Sequence, residues 1–449
     1  MRSGQSDWLV RPANLLISTG RMSATARLLE AAPRYAALLR SQYWRPEKLD
    51  SYRARQLEKT LRAAAKIRFY AERLGTAPWA DDLGRLPVLR RSDIEPLSRS
   101  VLSLYPPTTS FVEERSSATS GTAVKLLFDS SHQRGRNAAR TRFLRMHGWN
   151  PLERSVWFVG ASLVTDRNPD YQGIGELIRW FSSSLGVKFL STYMPFREQV
   201  DRLENHRPVS LYAFPSGIDG ILNVLEETGR SLPSLRLVMS GGEAVDDSLR
   251  ERVQRQLGLD LRDNYGSTEA FLAFQCTKGS YHVNAEHVLL EIVDEAGREV
   301  APGEMGRVLV TTLQNYLMPL VRYEIGDYAV AAQGRCSCGR TLPLLGRVLG
   351  RQLNLFRKPD GGLISGWGTV GTLRKFPELK TFQVVQKSML QFCVRYVADR
   401  PLTAECETQI QAKFREYLGE QTKVAFEHVD AIERASSGKF MVTLCEVPG

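Results

Sequence analysis

Asn264-Tyr265-Gly266-Ser267-Thr268-Glu269 follows a short apolar run, Leu259 to Arg262, and reads as a buried strand that breaks at Gly266 into a turn of small hydroxyl residues ending in a carboxylate. Such a turn supplies an aromatic face for a planar base, hydroxyl and backbone donors for a phosphate, and an acid for Mg²⁺. A strand, a glycine turn and a Glu are common apart. Their meaning here comes from four other segments of the chain.

Upstream, Ser116-Ser117-Ala118-Thr119-Ser120-Gly121-Thr122-Ala123-Val124-Lys125 precedes the apolar Leu126-Leu127-Phe128. Hydroxyls, a glycine and a lysine before a strand form a phosphate-cradling pattern; an ordinary polar linker is the other reading. The G-x-x-x-x-G-K-[ST] spacing is absent, which disfavours a P-loop NTPase. Ser240-Gly241-Gly242-Glu243 follows the apolar strand Leu235 to Met239, and its glycines admit a flat ligand close to the backbone. In Val321-Arg322-Tyr323-Glu324-Ile325-Gly326-Asp327, Asp327 suits a ribose diol. Arg434-Ala435-Ser436-Ser437-Gly438-Lys439 carries a lysine on a glycine turn, a pattern that an exposed surface lysine would share.

The chain of 449 residues is too long for one ordinary core, so one large and one smaller domain are expected. Residues 25–75 read as helical, with Leu28, Leu29, Tyr35, Leu38 and Leu39 on one stripe and Leu57, Leu61, Ala64 and Ile67 on another. From about residue 155, apolar runs (Ser155 to Val159, Val187 to Leu190, Ser210 to Phe214, Leu235 to Met239, Leu259 to Leu261) alternate with helical patterns. Val245, Leu249, Val253 and Leu257 recur every four residues before Gly258, a helix stop. This alternation predicts parallel α/β layers. From Val283 to about residue 350 the pattern is strand-turn-strand, a β-rich subdomain of the first domain (1–350). Residues 351–449 form a small α+β domain, with strands at Thr381 to Gln386, Leu390 to Val397, Lys423 to Phe426 and Phe440 to Leu444. Its helix carries Leu402, Cys406, Ile410, Phe414 and Leu418.

Hydrophobic content of 43% with 24% charged residues describes a globular protein. No run approaches the roughly 18–20 apolar residues of a membrane span, and the first 25 residues hold no continuous signal-peptide core; a cytoplasmic chain is expected. The net charge of +11 is spread evenly rather than in nucleic-acid-type runs, so no nucleic-acid partner is expected. Cys393, Cys406 and Cys445 lie in apolar patterns and read as buried thiols. Cys336-Ser337-Cys338 and Cys276-x₅-His282 lie in turns; three Cys and one His make a closed tetrahedral zinc set, against which stands a reading as four unrelated loop residues. His287 is the nearest rival ligand, but the alternation Val288, Leu290, Ile292 sets it on a polar, solvent-facing side.

The five segments, in this order, resemble the adenylate-forming enzymes, the acyl-CoA synthetase and adenylation-domain superfamily. Length and the amino-terminal half, including Leu39-Arg40-Ser41-Gln42-Tyr43-Trp44, Leu86-Pro87-Val88-Leu89 and Phe214-Pro215-Ser216, are similar to its phenylacetate–CoA ligase branch, close to relatives from capsular-polysaccharide gene clusters. The resemblance implies activation of a small carboxylic acid by ATP and Mg²⁺ through an acyl-adenylate, and transfer first of all to CoA, with a carrier-protein thiol or a sugar or amino-acid amine as the alternative acceptors; a non-catalytic nucleotide-binding homologue is the remaining reading, against which the intact Glu269, Asp327, Arg351 and Lys439 stand. Ser117, Thr119, Ser120, Gly121 and Thr122 would hold the β- and γ-phosphates, with Lys125 beside them. Gly241, Gly242 and Glu243 would border the adenine, Tyr265 would stack on it within the Asn264–Ser267 turn, Thr268 would meet the α-phosphate and Glu269 the Mg²⁺. Asp327 and Arg351 would hold the ribose, and Lys439, on a mobile lid, would bridge the attacking carboxylate and the phosphate. Trp157, Tyr212 and Phe214 fall near the implied acid pocket. Related ligases carry similar Cys and His positions that hold structural zinc, and a homodimer is compatible with the pattern. Two departures stand out: Ala118 replaces a glycine of the phosphate loop, and Gly350-Arg351-Gln352-Leu353-Asn354 puts Asn354 where the family's hinge is acidic.

Overall fold

Largely buried strands build one large sheet that carries the central candidate segments. A computed structural model describes residues 24–74, 83–106, 108–109, 111–116, 124–159, 186–376, 378–433 and 440–447. An antiparallel hairpin, β1 (Val112–Arg115) and β2 (Lys125–Phe128), precedes the sheet. Then β3 (Ser155–Val159), β4 (Val187–Ser191), β5 (Ser210–Ala213), β6 (Leu237–Gly241) and β7 (Leu261–Gly266) run parallel in the order β4-β3-β5-β6-β7. Helices Phe196–His206, Pro215–Thr228 and Asp247–Leu257 make the crossovers. Each is delimited by local chemistry: Pro215 opens one, Asp246 caps another by accepting from the Leu249 amide at 2.8 Å, and Gly258, at φ 68°, ends it.

The sheet changes direction after β7. β8 (Phe271–Gln275), β9 (Tyr281–Val283), β10 (Val288–Val293), β11 (Met305–Thr312), β12 (Tyr323–Ala331) and β13 (Leu344–Arg351) are antiparallel, completing an eleven-stranded sheet in the order β10-β11-β12-β13-β9-β8-β7-β6-β5-β3-β4. The antiparallel part thus starts at Phe271, ahead of the expected Val283, because β8 and β9 are fully or nearly buried and lack the polar alternation that signals such strands. β6 and β7 also end later than their apolar runs do: Ser240, Gly241, Asn264 and Tyr265 are strand residues.

The carboxyl-terminal part has its own apolar cluster, from Phe356 to Cys445. It contains the hairpin β14 (Leu355–Arg357) and β15 (Leu363–Ser365), and β16 (Thr381–Ser388), β17 (Gln391–Val397), β18 (Lys423–His428) and β19 (Thr443–Cys445) in the order β18-β17-β16-β19. Helices Trp367–Leu373 and Ala404–Leu418 pack on it, the latter burying Ile410 and Phe414 as the spacing predicts; Cys406 is only half-buried there. In the amino-terminal helices, Leu38, Leu61, Ala64 and Ile67 are buried, but Leu39 is exposed. The end of the first helix of this region and the turn beyond β12 are also joined: the Thr341 amide donates to the Gln42 carbonyl at 3.0 Å, and Arg340 Nε to Gln42 Oε1 at 2.9 Å.

One buried ion pair joins three parts of this frame. Arg142, on helix Ser130–Met146, is 1% exposed and meets Glu286 in fork geometry, Nη1–Oε1 at 2.8 Å and Nη2–Oε2 at 3.1 Å. Nη2 also donates to Asn284 Oδ1 at 2.6 Å, and Ser41 Oγ donates to Glu286 Oε1 at 2.6 Å. Burial pushes the Glu286 carboxyl up, but Arg142 and its other donors outweigh this and hold it below the usual range. His287, next to it, is buried rather than solvent-facing, because it lies in the turn before β10 and under Gly135, where an added Cβ would approach its ring to 2.8 Å. Glu286→Gln would strand the Arg142 charge in the core, and the expected loss is about 3–5 kcal/mol of unfolding free energy, measurable by urea denaturation. A paired Arg142→Leu/Glu286→Leu change should recover much of it.

Candidate active site

β7 holds the site because both its neighbours constrain it. Asn264 lies beside Gly241 of β6 and donates through Nδ2 to the Ser240 carbonyl at 2.6 Å and to Tyr212 Oη at 3.0 Å. These side chains cross Gly241, where a Cβ would stand 2.5 Å from Tyr212 Oη and 2.6 Å from Asn264 Nδ2. Gly241 is therefore demanded by the protein's own side chains, whereas Gly242, at φ 85°, is demanded by its backbone. Tyr265 donates through its hydroxyl to Asp327 Oδ2 at 2.8 Å, and burial, then Asp327, pushes that phenol well above its usual range. Asp327 and Arg351 are directly opposed on β12 and β13 and are paired, Oδ1 to Nε, at 3.0 Å.

A cavity of about 400 Å³ opens in front of these groups. Gly242, Glu243, Asn264, Tyr265, Gly266, Ser267, Thr268, Asp327 and Arg351 all line it. Glu269 lies just behind, 5% exposed, with its carboxyl pushed up by burial. No arginine or lysine among the described residues forms a direct ion pair with it; the Arg351 charge acts on it without outweighing its burial, and a buried carboxylate so placed is the donor chemistry a divalent ion suits. Glu243 is engaged by the protein: it accepts from the Ser216 amide at 2.9 Å, from the Ser216 hydroxyl at 3.1 Å and from the Phe440 amide at 3.0 Å. Lys125 pairs with Glu113 at 3.0 Å and does not line the cavity. Ser117, Thr119, Ser120, Gly121, Thr122 and Lys439 lie outside the described residues; Phe440, next to Lys439, lines the cavity.

Residues with no signature in the spacing also converge here. Asp263, under the cavity, accepts from Ser240 Oγ at 2.6 Å and from the Tyr281 hydroxyl, and burial pushes it up to about 6. Arg374, from the carboxyl-terminal part, meets Asp246 at 2.5 Å and Asp219 at 3.3 Å across the cavity's edge.

On the antiparallel side, the ligand atoms of Cys276, His282, Cys336 and Cys338 all lie within 4.8 Å of one another. Cys276 Sγ is 3.6 Å from Cys336 Sγ, and Cys338 Sγ is 3.3 Å from His282 Nε2. For bonds of about 2.3 Å, tetrahedral zinc separates sulfurs by roughly 3.8 Å. His282 Nδ1 faces the Leu342 carbonyl at 3.4 Å, which leaves Nε2 for the cluster.

A direction-switching sheet, a cavity at the carboxyl ends of its parallel strands and an aromatic–carboxylate–arginine wall make up the site. Residues 180–318 match the family of AMP-binding enzymes and residues 356–446 the CapK C-terminal domain, and the chain belongs to the adenylate-forming superfamily. Within it, the chain is similar to phenylacetate-coenzyme A ligase: 31% identical to that of Thermus thermophilus over 162 residues (34% of this chain, 36% of that protein). Against the Escherichia coli protein it is 30% identical over 227 residues (47% and 48%). The alignments thus span about a third to a half of these relatives' length. In fold, it is similar to 2-hydroxyisobutyryl-CoA ligase in the postadenylation state, with a TM-score of 0.66 at 17% identity, covering 95% of this chain and 90% of that one. An anthranilate CoA ligase bound to anthranoyl-AMP gives 0.55 at 16% identity, covering 79% and 76%.

Asp327→Asn removes the partner of Arg351 and weakens the acceptor for Tyr265. Since charge-assisted hydrogen bonds count for about 1.5–3 kcal/mol, AMP affinity measured by calorimetric titration should fall by about an order of magnitude or more.

Proposed function

We propose that the chain is an ATP-dependent, AMP-forming acid ligase that passes its acyl group to CoA. The observation that carries this is the Tyr265–Asp327–Arg351 wall with the buried Glu269 carboxylate behind it. A carboxylate is a poor acyl donor because its leaving group would be oxide. Its oxygen attacks the α-phosphorus of ATP, the bond to pyrophosphate breaks, and an acyl-adenylate results. A thiolate of CoA then attacks the acyl carbonyl and AMP departs. Such catalysis is positioning plus fixed charge.

In this reading, Tyr265 offers its ring to the adenine while its hydroxyl stays anchored on Asp327, whose remaining acceptor capacity faces the ribose with Arg351. Thr268 meets the α-phosphate, and Ser117, Thr119, Ser120, Gly121 and Thr122 take the departing phosphates. Glu269 would hold Mg²⁺, which neutralises charge building on the phosphates. Lys439, reaching in from residues 351–449, would bridge the carboxylate and the α-phosphate, and that part then acts as a lid on the core of residues 1–350. Cys276, His282, Cys336 and Cys338 would hold a structural zinc. ATP, CoA and a small organic acid are cytoplasmic reactants, and among the described residues no helix is long and apolar enough to cross a membrane.

The test is acid-dependent exchange of labelled pyrophosphate into ATP over a panel of small carboxylic acids. Wild type should exchange with at least one acid, and Glu269→Gln should lower the rate by about 10²–10³-fold, the scale of removing one preorganised transition-state interaction. Absence of exchange with every acid would refute the ligase reading. For the metal, emission spectrometry should return about one zinc per chain, and Cys338→Ser should lower Tm more than kcat. A fully folded, metal-free protein would refute that assignment.

A further inference from the structure

From the network around Arg136 we infer that this arginine is a positioning residue for the adenylation step: it locks the catalytic turn Thr268–Glu269 to the hairpin that frames the phosphate segment. The inference rests on the ligase reading only for its kinetic consequence.

Arg136 sits in the second turn of helix Ser130–Met146, 16% exposed. Its Nη1 donates to Glu114 Oε2 at 3.0 Å and to the Thr268 carbonyl at 3.1 Å. Its Nη2 donates to Glu114 Oε1 and, at 2.9 Å, to Gln133 Oε1. Gln133 Nε2 in turn donates to Glu114 Oε1 at 3.0 Å. Glu114 belongs to β1 and faces Leu126 of β2, so its carboxylate is fixed to the two strands that lead into and out of residues 117–123. One guanidinium therefore spans the hairpin, the helix and the peptide carbonyl between Thr268 and Glu269.

The same helix also packs beside this turn through the Phe128 ring. His132 is buried and stacks on that ring with centroids 4.7 Å apart. Arg136 also lies over the Phe128 ring, 5.6 Å from its centroid. The second turn of this helix thus holds the Thr268 carbonyl of the catalytic turn. A peptide whose carbonyl is held cannot rotate, and the Thr268 hydroxyl and Glu269 carboxylate keep their bearing on the cavity. Planar, five-donor geometry is what allows a single side chain to serve both Glu114 and Thr268; a lysine has one nitrogen for the two.

The test uses the full chain and compares Arg136→Gln, Arg136→Lys, Glu114→Gln and the Arg136→Gln/Glu114→Gln pair. By hydrogen exchange with mass spectrometry, Arg136→Gln should speed exchange in the peptide covering 264–270 while leaving 288–312 unchanged, with Arg136→Lys between it and wild type. In pyrophosphate exchange, kcat should fall about 10- to 100-fold, the scale of a charge-assisted hydrogen bond, with KM for the acid unchanged. Transfer from a prepared acyl-adenylate should stay within about twofold of wild type. The double variant should be no worse than either single one, as for one coupled unit. Equal exchange of peptide 264–270 in wild type and Arg136→Gln overturns the inference whatever the activity. So does equal damage to both half-reactions accompanied by a matching fall in Tm. A wild type without pyrophosphate exchange refutes the ligase reading instead, and the hydrogen-exchange comparison still decides the role of Arg136.

Discussion

β7 is hydrogen-bonded in parallel to β6 on one side and antiparallel to β8 on the other, and the site depends on that switch. On the parallel side, strand ends deliver Phe214-Pro215-Ser216, Gly241-Gly242-Glu243 and Gly266-Ser267-Thr268 to one rim. On the antiparallel side, the sheet returns β12 and β13, so that Asp327 and Arg351 stand opposite that rim. Ligands of open α/β sheets collect where strand order reverses; here the reversal is one of direction, and it brings chain segments more than sixty residues apart within one hydrogen bond of each other, Tyr265 to Asp327.

The carboxyl-terminal part meets this rim through polar contacts, beside an apolar cluster in which Leu355 and Leu363 pack on Tyr328 and Leu349. Arg374 bridges Asp246 and Asp219, Asn223 Nδ2 donates to the Lys380 carbonyl at 2.7 Å, and Phe440 donates its amide to Glu243. Asn354 is tied within the same part, donating to the Thr443 carbonyl at 2.9 Å while Thr443 Oγ1 donates back to the Asn354 carbonyl at 3.0 Å. An acid at position 354 would lack the amide donor that the Thr443 carbonyl accepts, which gives the departure from the family's acidic hinge a physical reason.

Much of this was legible in the sequence where backbone chemistry is local. Glycine turns, strand periodicity and the spacing of Tyr265, Thr268, Asp327 and Arg351 led to residues that do line one cavity, and the Cys and His pairs, sixty residues apart, do meet. Charged side chains resisted reading. Arg136, Arg142 and Arg374 occur in helices or turns whose patterns look solvent-exposed, and their burial follows only from carboxylates contributed by distant strands and helices. Lys125 was read as a phosphate neighbour from its position after the loop, yet Glu113, reachable only once the hairpin closes, engages it. Glu243, read as an adenine border, lines the cavity, and its two oxygens also accept from a helix start and Phe440, which the sequence did not signal. His287 misled because alternation was extended one residue past the true start of β10.

The turn that carries Cys336 and Cys338 continues directly into Arg340 and Thr341, which hold Gln42 and the Trp44 carbonyl. Those residues close the first amino-terminal helix, whose Ser41 in turn feeds the Arg142–Glu286 pair. Thiols and helices nearly three hundred positions apart therefore belong to one unit of local unfolding. If the thiols are oxidised or stripped of a ligand, the earliest scar a protease leaves should fall near the beginning of the chain, far from the sulfur atoms that caused it.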